Sequence, residues 1–296
     1  MDRRVLMETP LKSIGEHGIF NKNHWVQEAR GKLISANLLR QCALEKQSEF
    51  DSLRTFKEVN DQRLTSKEVF DLVNVRDSAR KSSILILGYA IELLLKAGIV
   101  SLLINAPKII LEKTLRDYGH NLLIIAKELH LDLSPVEINL LETLSSYIVN
   151  ETRYPVTPSS ITDYCNQSNK ITQFVSDEAN FTRGVTFFTR VDKFIADIDG
   201  TSENMKIYSR MEMEQNGYLT FRIGGKLPPI VIIKFCQSQI EAGVDTLETL
   251  KSLLTETNKS DGGMNSHLME KYWDSTIFYR VDKKNLIKKL PLNLRS

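Results

Sequence analysis

The stretch Ser82–Ala106, SSILILGYAIELLLKAGIVSLLINA, restricts this chain more than any other. From Ile84 to Leu95 it is almost unbroken apolar, so any fold must bury it. Its charges, Glu92 and Lys96, lie four residues apart. On a helix they share one face, glutamate first, which is the favourable order. Tyr89, Glu92 and Lys96 then make a thin polar stripe on an otherwise greasy rod. Such a helix is either a core helix or a membrane span. A span would hold Glu92 and Lys96 near the bilayer midplane at about 2.5–3.5 kcal/mol each. The expectation is the buried centre of a soluble helix bundle, with no membrane contact.

Amphipathic runs surround that rod. Residues 1–22 lack a period and read as an arm. Trp25, Ala29, Leu33, Ala36, Leu39 and Ala43 recur at spacings of three and four, which predicts a helix from Asn23 on through Phe50 and Leu53. After a polar stretch, Lys57 to Lys67, a second helical run begins near Ser66 and leads into the central helix. Pro107 breaks it. LLIIAKELHL, opened by His120-Asn121, has a helical period. Ser134-Pro135-Val136-Glu137 is a helix start, with Ser as cap, Pro in the first turn and Glu completing a capping box. The helix it opens is expected to bury Ile138, Leu141, Leu144 and Ile148 and to end near Glu151. Pro155 to Ser160 is rich in Pro, Ser and Thr, so 155–175 reads as a loop or lid. A last helix spans about Ser176–Asp199, with Phe181, Val185, Phe188, Val191, Ile195 and Ile198 on one side.

After Gly200 the period changes to two. MKIYSRMEME and YLTFRI flank Asn216-Gly217, a hairpin signal. PIVIIKF reads as a buried strand, 237–255 as an amphipathic helix, 258–265 as a loop and TIFYRV as a fourth strand. The tail carries Lys283, Lys284, Lys288, Lys289 and Arg295. The expected fold class is an all-α antiparallel bundle followed by a small α+β module, divided as 1–22, 23–199 and 200–296.

Composition removes several function classes. The net charge is +2, too small to announce nucleic-acid binding, so any such contact must come from a local patch. Cys42, Cys165 and Cys236 are widely spaced with no CxxC pairing, which reads as reduced cytosolic thiols and argues against zinc. No GxxxxGK[ST] loop or HExxH pair occurs, so neither a metal nor another cofactor is expected. The first residues hold no apolar run of signal-peptide length, and the expected compartment is the cytoplasm.

Three pieces in order resemble the HEPN family, the higher eukaryotes and prokaryotes nucleotide-binding helical domains, over about residues 23–199. They are the early helix beginning at Trp25, the central helix ending Glu92-x-x-x-Lys96-Ala97, and His120-Asn121-Leu122 with Arg153-Tyr154-Pro155 thirty-odd residues on. The resemblance implies an antiparallel helical bundle, homodimers, and roles in bacterial antiviral defence, toxin–antitoxin pairs and RNA processing. Many members are metal-independent ribonucleases marked by an arginine followed after four to six residues by a histidine. Histidine can move protons at the ribose 2′-hydroxyl or the leaving oxygen, and arginine can stabilise the phosphate. This chain departs from that pattern. Pro158, Ser159 and Ser160 stand where a histidine should follow Arg153, and Arg116 precedes His120 one residue short of the family spacing.

Binding is therefore expected over catalysis. The ligand candidates are RNA, a nucleotide or a protein partner of the same system, at a groove lined by Arg153, Tyr154, Lys96 and Arg116. If the protein cuts RNA, Arg153 is the phosphate clamp, His120 the acid/base and Glu92 the orienting group. Each has a plainer reading. Glu92 and Lys96 suit a simple intrahelical pair, His120 a helix cap, and Arg153 a donor to the last carbonyls of its helix. Lys283, Lys284, Lys288 and Lys289 suit either an RNA or partner tail or a solvated surface. A third reading is an adaptor that docks an effector through the C-terminal module.

Overall fold

Apolar residues at helical spacing dominate the first two hundred positions, and the described backbone there is mostly helical. The computed structural model describes residues 18–151, 161–252, 271–282 and 287–290, with backbone alone at 150–151, 161–168, 287 and 288. Among the described residues seven α-helices precede the strands: α1 (Lys22–Val59), α2 (Ser66–Leu102), α3 (Lys108–Tyr118), α4 (Leu122–Glu128), α5 (Pro135–Ser146), α6 (Ile161–Ser176) and α7 (Glu178–Ala196). A π-helical turn, Tyr147–Glu151, continues α5. The strands β1 (Ile207–Glu212), β2 (Tyr218–Ile223), β3 (Ile230–Lys234), β4 (Ile277–Val281) and β5 (Ile287–Lys289) come next, with a short α8 (Gln237–Glu241) after β3. The described residues fall into two compact units. One is helical, Asn23–Ala97 with His120–Lys193. The other takes the described parts of Met1–Lys22, Gly98–Gly119 and Phe194–Ser296.

In the helical unit, α1 and the first part of α2 form an antiparallel hairpin. Asp61 turns the chain in the left-handed region at φ 51°. Thr65 and Glu68 then cap α2 reciprocally, Thr65 N donating to Glu68 Oε2 at 2.8 Å and Glu68 N to Thr65 Oγ1 at 3.2 Å. The seam is bridged by Lys57 to Glu68 at 3.3 Å and by Arg76 Nη1 to Gln47 Oε1 at 2.8 Å. Ala29, Ala36 and Ala43 are fully buried and seven apart, marking the inward side of α1. The core holds Ile84, Leu87, Ile91, Leu94 and Leu95 of α2 with Leu141, Leu144, Ile148, Phe187 and Phe188. Two glycines let these helices approach. A Cβ on Gly88 would lie 2.9 Å from Ile148 Cδ1, and one on Gly184 2.6 Å from Leu87 Cδ2. Among the described residues α2 is the one helix with the length and apolarity of a membrane span. Its most apolar window is 72 % buried within the molecule, as in the core helix of a soluble protein.

The second unit is built on a five-stranded sheet in the order β1-β2-β3-β4-β5, antiparallel except for the parallel pair β3–β4. The register sets Phe221 opposite Val231 and Val231 opposite Phe278, so one face presents a continuous apolar layer. Leu247 and Leu250 close over it. The opposite face carries Arg222, which is fully buried. Its Nη1 donates to Gly224 O at 2.9 Å and its Nη2 to Ile198 O at 3.2 Å. Asp199 stands 3.8 Å from Arg222 Nη2 and also meets Lys22 at 2.7 Å, Lys206 at 3.4 Å and the Ser101 hydroxyl. Burial works to raise the Asp199 carboxyl, but the bonds from Lys22 and Ser101 and the charges of Lys206 and Lys22 outweigh it and hold the group below its usual range. Burial pulls Arg222 down to about 10, against the pull of Asp199.

Several expectations from sequence are corrected. Of the segment read as a loop, 161–175 is helical and belongs to α6; its amphipathic residues are diluted by Ser, Asn and Thr. The turn before β2 spans Met213–Gly217 instead of two residues, with Gln215 and Asn216 both left-handed. The helix expected over 237–255 stops at Glu241, because the chain turns at Gly243 with φ 67°; helix resumes at 247. Part of the basic tail is an edge strand, β5, paired with β4. In α5 it is Leu140, not Ile138, that joins Leu141 and Leu144 in the core, and in α7 Val185 is only half-buried.

Candidate functional site

The polar stripe of α2 is where chemistry gathers in the helical unit. Glu92 is 6 % exposed, an expensive place for a carboxylate unless both oxygens are bonded. Both are. Oε1 accepts from Lys96 Nζ at 2.7 Å, one turn along the same helix. Oε2 lies 2.8 Å from His120 Nδ1, brought in from 28 residues away. The Tyr89 ring stands edge-on to the His120 imidazole, centroids 6.0 Å apart at 72°.

The start of α4 fixes His120 in place. Asn121, not His120, caps α4: its side chain accepts from Ile124 N at 3.1 Å. Leu122 N donates to His120 O at 3.0 Å and to Ser145 Oγ at 3.0 Å, which ties the start of α4 to α5. Leu122, Ile125 and Ala126 are buried, so the helix cannot slide without exposing them. The imidazole is thereby turned onto Glu92 and does not cap the helix.

A carboxylate accepts hydrogen bonds, so Nδ1 of His120 is the donor and carries the hydrogen. Proton exchange with a ligand then falls to Nε2. This is the arrangement by which a carboxylate sets the tautomer and orientation of a histidine. Lys96 offsets the charge of Glu92 from the other side. The trio can hold an oxyanion or move a proton.

The structure thus brings together Glu92, Lys96, His120 and Tyr89. Arg116 is exposed in the last turn of α3, in the other unit. Arg153 and Tyr154 lie outside the described residues, as do Lys283 and Lys284. Lys288 is in β5 without a described side chain, and Lys289 beside it is exposed. Among the described residues no three His, Cys, Asp or Glu side chains gather as a metal ion requires. A groove of about 320 Å³ opens elsewhere in the helical unit, between α5 with its π turn and α6. Tyr147, Ile171 and Phe174 form its apolar wall, Glu142 and Lys170 supply its charges, and neither Glu92 nor His120 lines it. Comparisons with protein-family models, with curated proteins and with solved structures return no match.

Proposed function

We propose that the chain is a cytoplasmic, HEPN-like protein of a bacterial defence or toxin–antitoxin type system. It acts as a homodimer and binds RNA or a nucleotide at a groove of its helical bundle, with a protein partner of the same system as the alternative occupant. One observation carries the reading: the buried Glu92 carboxylate divides its oxygens between Lys96 and His120, and so presents an oriented imidazole beside an ammonium group. That pairing suits a phosphate oxygen: the Lys96 ammonium donates to it, and the His120 ring does so through Nε2 in its doubly protonated form, Nδ1 staying on Glu92.

A second reading, metal-independent RNA cleavage, is favoured by the same Glu92–His120 bond, which prepares a histidine for proton transfer. The missing arginine–histidine spacing keeps binding first.

The test is fluorescence anisotropy with a labelled single-stranded RNA in EDTA, alongside electrophoresis of the same RNA after incubation. Binding weakened at least tenfold by His120→Ala and Glu92→Gln is the expected result. Cleavage in EDTA that His120→Ala abolishes would replace binding by catalysis. No interaction with RNA or mononucleotides by the wild-type protein would refute both.

A further inference from the structure

A second polar cluster in the helical unit takes no part in the Glu92 site. It consists of three arginines, Arg40 on α1 and Arg76 and Arg80 on α2. Arg40 is committed through two nitrogens, its Nε donating to Glu178 Oε2 at 2.9 Å and its Nη1 to Val175 O at 2.7 Å; its Nη2, 2.8 Å from Glu178 Oε1, is paired with that carboxylate by charge and lacks hydrogen-bond geometry. Arg76 donates through Nε to Asp77 Oδ1 and through Nη1 to Gln47 Oε1, both at 2.8 Å.

Arg80 has no such commitment. The one hydrogen bond its side chain makes among the described residues is a long contact, 3.5 Å from Nη2 to the Gln47 oxygen that Arg76 already uses. Its Nε is buried with no partner among the described residues, and none of their carboxylates comes within ion-pair distance of it. A buried donor left unbonded costs about 1–3 kcal/mol. Arg76 and Arg80 are also like charges at i, i+4, a destabilising spacing on a helix. Burial pulls the Arg80 guanidinium below its ordinary range, and Arg76 and Arg40 add to the effect against Asp77 and Glu178. Three guanidinium groups thus share two carboxylates, and the surplus charge sits at Arg80.

We propose that Arg76 and Arg80 form a binding site for a phosphoryl anion, with Arg40 contributing its field from behind. A tetrahedral phosphoryl group offers several acceptor oxygens, enough to serve two guanidinium forks together. It supplies the missing acceptor for Arg80 and cancels the repulsion between the pair. Asp77, whose side chain is 46 % exposed, can swing away from Arg76 to make room. The anion is either the terminal phosphate of a nucleotide or a backbone phosphate of RNA; the chemistry is shared. The site stands apart from the Glu92 trio, since twelve residues of α2 separate Arg80 from Glu92, about 18 Å of helix. It does not depend on the function proposed above.

The experiment uses the full chain and three probes: inorganic phosphate, a 5′-monophosphate mononucleotide, and a single-stranded RNA with a 5′-hydroxyl. Affinity is read by titration calorimetry, and thermal stability is compared with chloride at equal ionic strength. Binding at least tenfold weaker in Arg80→Gln than in wild type is expected, with a loss in Arg76→Gln of similar size. Arg80→Lys, which keeps the charge and loses the fork, should bind severalfold more weakly and guards against misfolding of the glutamine variants. In phosphate-free buffer Arg80→Gln should melt no lower than wild type; a purely structural arginine would lower it. Preference for the mononucleotide assigns a terminal phosphate, and binding of the RNA with a salt dependence that shallows in Arg80→Gln assigns the backbone. If none of the probes binds wild type above chloride, or if Arg80→Gln and Arg80→Lys bind within twofold of it, the site does not exist.

Discussion

Replacing Asp199 by alanine tests the polar centre of the sheet unit. The carboxylate meets Lys22 at 2.7 Å, Lys206 at 3.4 Å, Arg222 at 3.8 Å and the Ser101 hydroxyl. Without it, three cations face one another with no anion, and one of them, Arg222, has no contact with solvent. Breaking a buried pair by removing one partner costs about 3–5 kcal/mol. Asp199 retains 27 % exposure, so water replaces part of what is lost, and the lower end, about 3 kcal/mol, is expected. At about 2–4 °C per kcal/mol for a chain of this size class, the melting temperature falls by about 6–12 °C. The pH profile gives an independent readout. The folded carboxyl lies below its ordinary value of 3.8, so its stabilisation is complete above that value and disappears as pH falls through the lower, folded one. Asp199→Asn should flatten that acid limb. Urea denaturation at pH 7 and at a series of acidic values measures both. A loss under about 0.5 kcal/mol at pH 7, or an unchanged acid limb in Asp199→Asn, would show that the cations are held by something other than this carboxylate.

Two helical glycines should respond to alanine with opposite signs. A Cβ added at Gly31 meets nothing within 4 Å, so Gly31→Ala gains about 0.5–1 kcal/mol of helix propensity, whereas Gly184→Ala drives a methyl to 2.6 Å from Leu87 Cδ2 and should lose about 1–2 kcal/mol net; chemical denaturation of both decides. Gly225→Ala combines a φ of 67° with a Cβ 2.3 Å from Ile198 O, beside the Arg222 bond, and should cost about 2 kcal/mol or more by the same measurement. Ser134→Ala removes a capping box whose Ser134 bonds, with Arg190, hold the Glu137 carboxyl down against burial. About 1 kcal/mol is expected at neutral pH, and less at acidic pH as Glu137 is protonated; no measurable loss at neutral pH refutes the cap.

Much of this architecture was legible in the residue pattern because it is local. The capping box at Ser134, the helix start at Ser66, the alanines of α1 and the strands after Gly200 each depend on neighbours within a few positions. Helix α6 was not legible, since its apolar residues are sparse. Strand β5 was hidden among lysines, because an edge strand needs only one neighbour to pair with. In the site, the Glu92–Lys96 pair could be read directly from i, i+4 spacing. The arginine cluster left a faint trace, a like-charged pair at the same spacing, which acquires meaning only beside Arg40 and Gln47.

The sequence by itself determined that residues 82–106 would be buried and that a helical region would give way to a period-two one, because hydrophobic burial follows periodicity that a one-dimensional pattern carries. Only the tertiary structure decided that His120 bonds Glu92, that Arg80 lacks the partner Arg40 and Arg76 have, and that Asp199 gathers Lys22, Ser101, Lys206 and Arg222. Such contacts join residues up to 177 positions apart, and no local spacing encodes the distance between two side chains until helices and strands have packed.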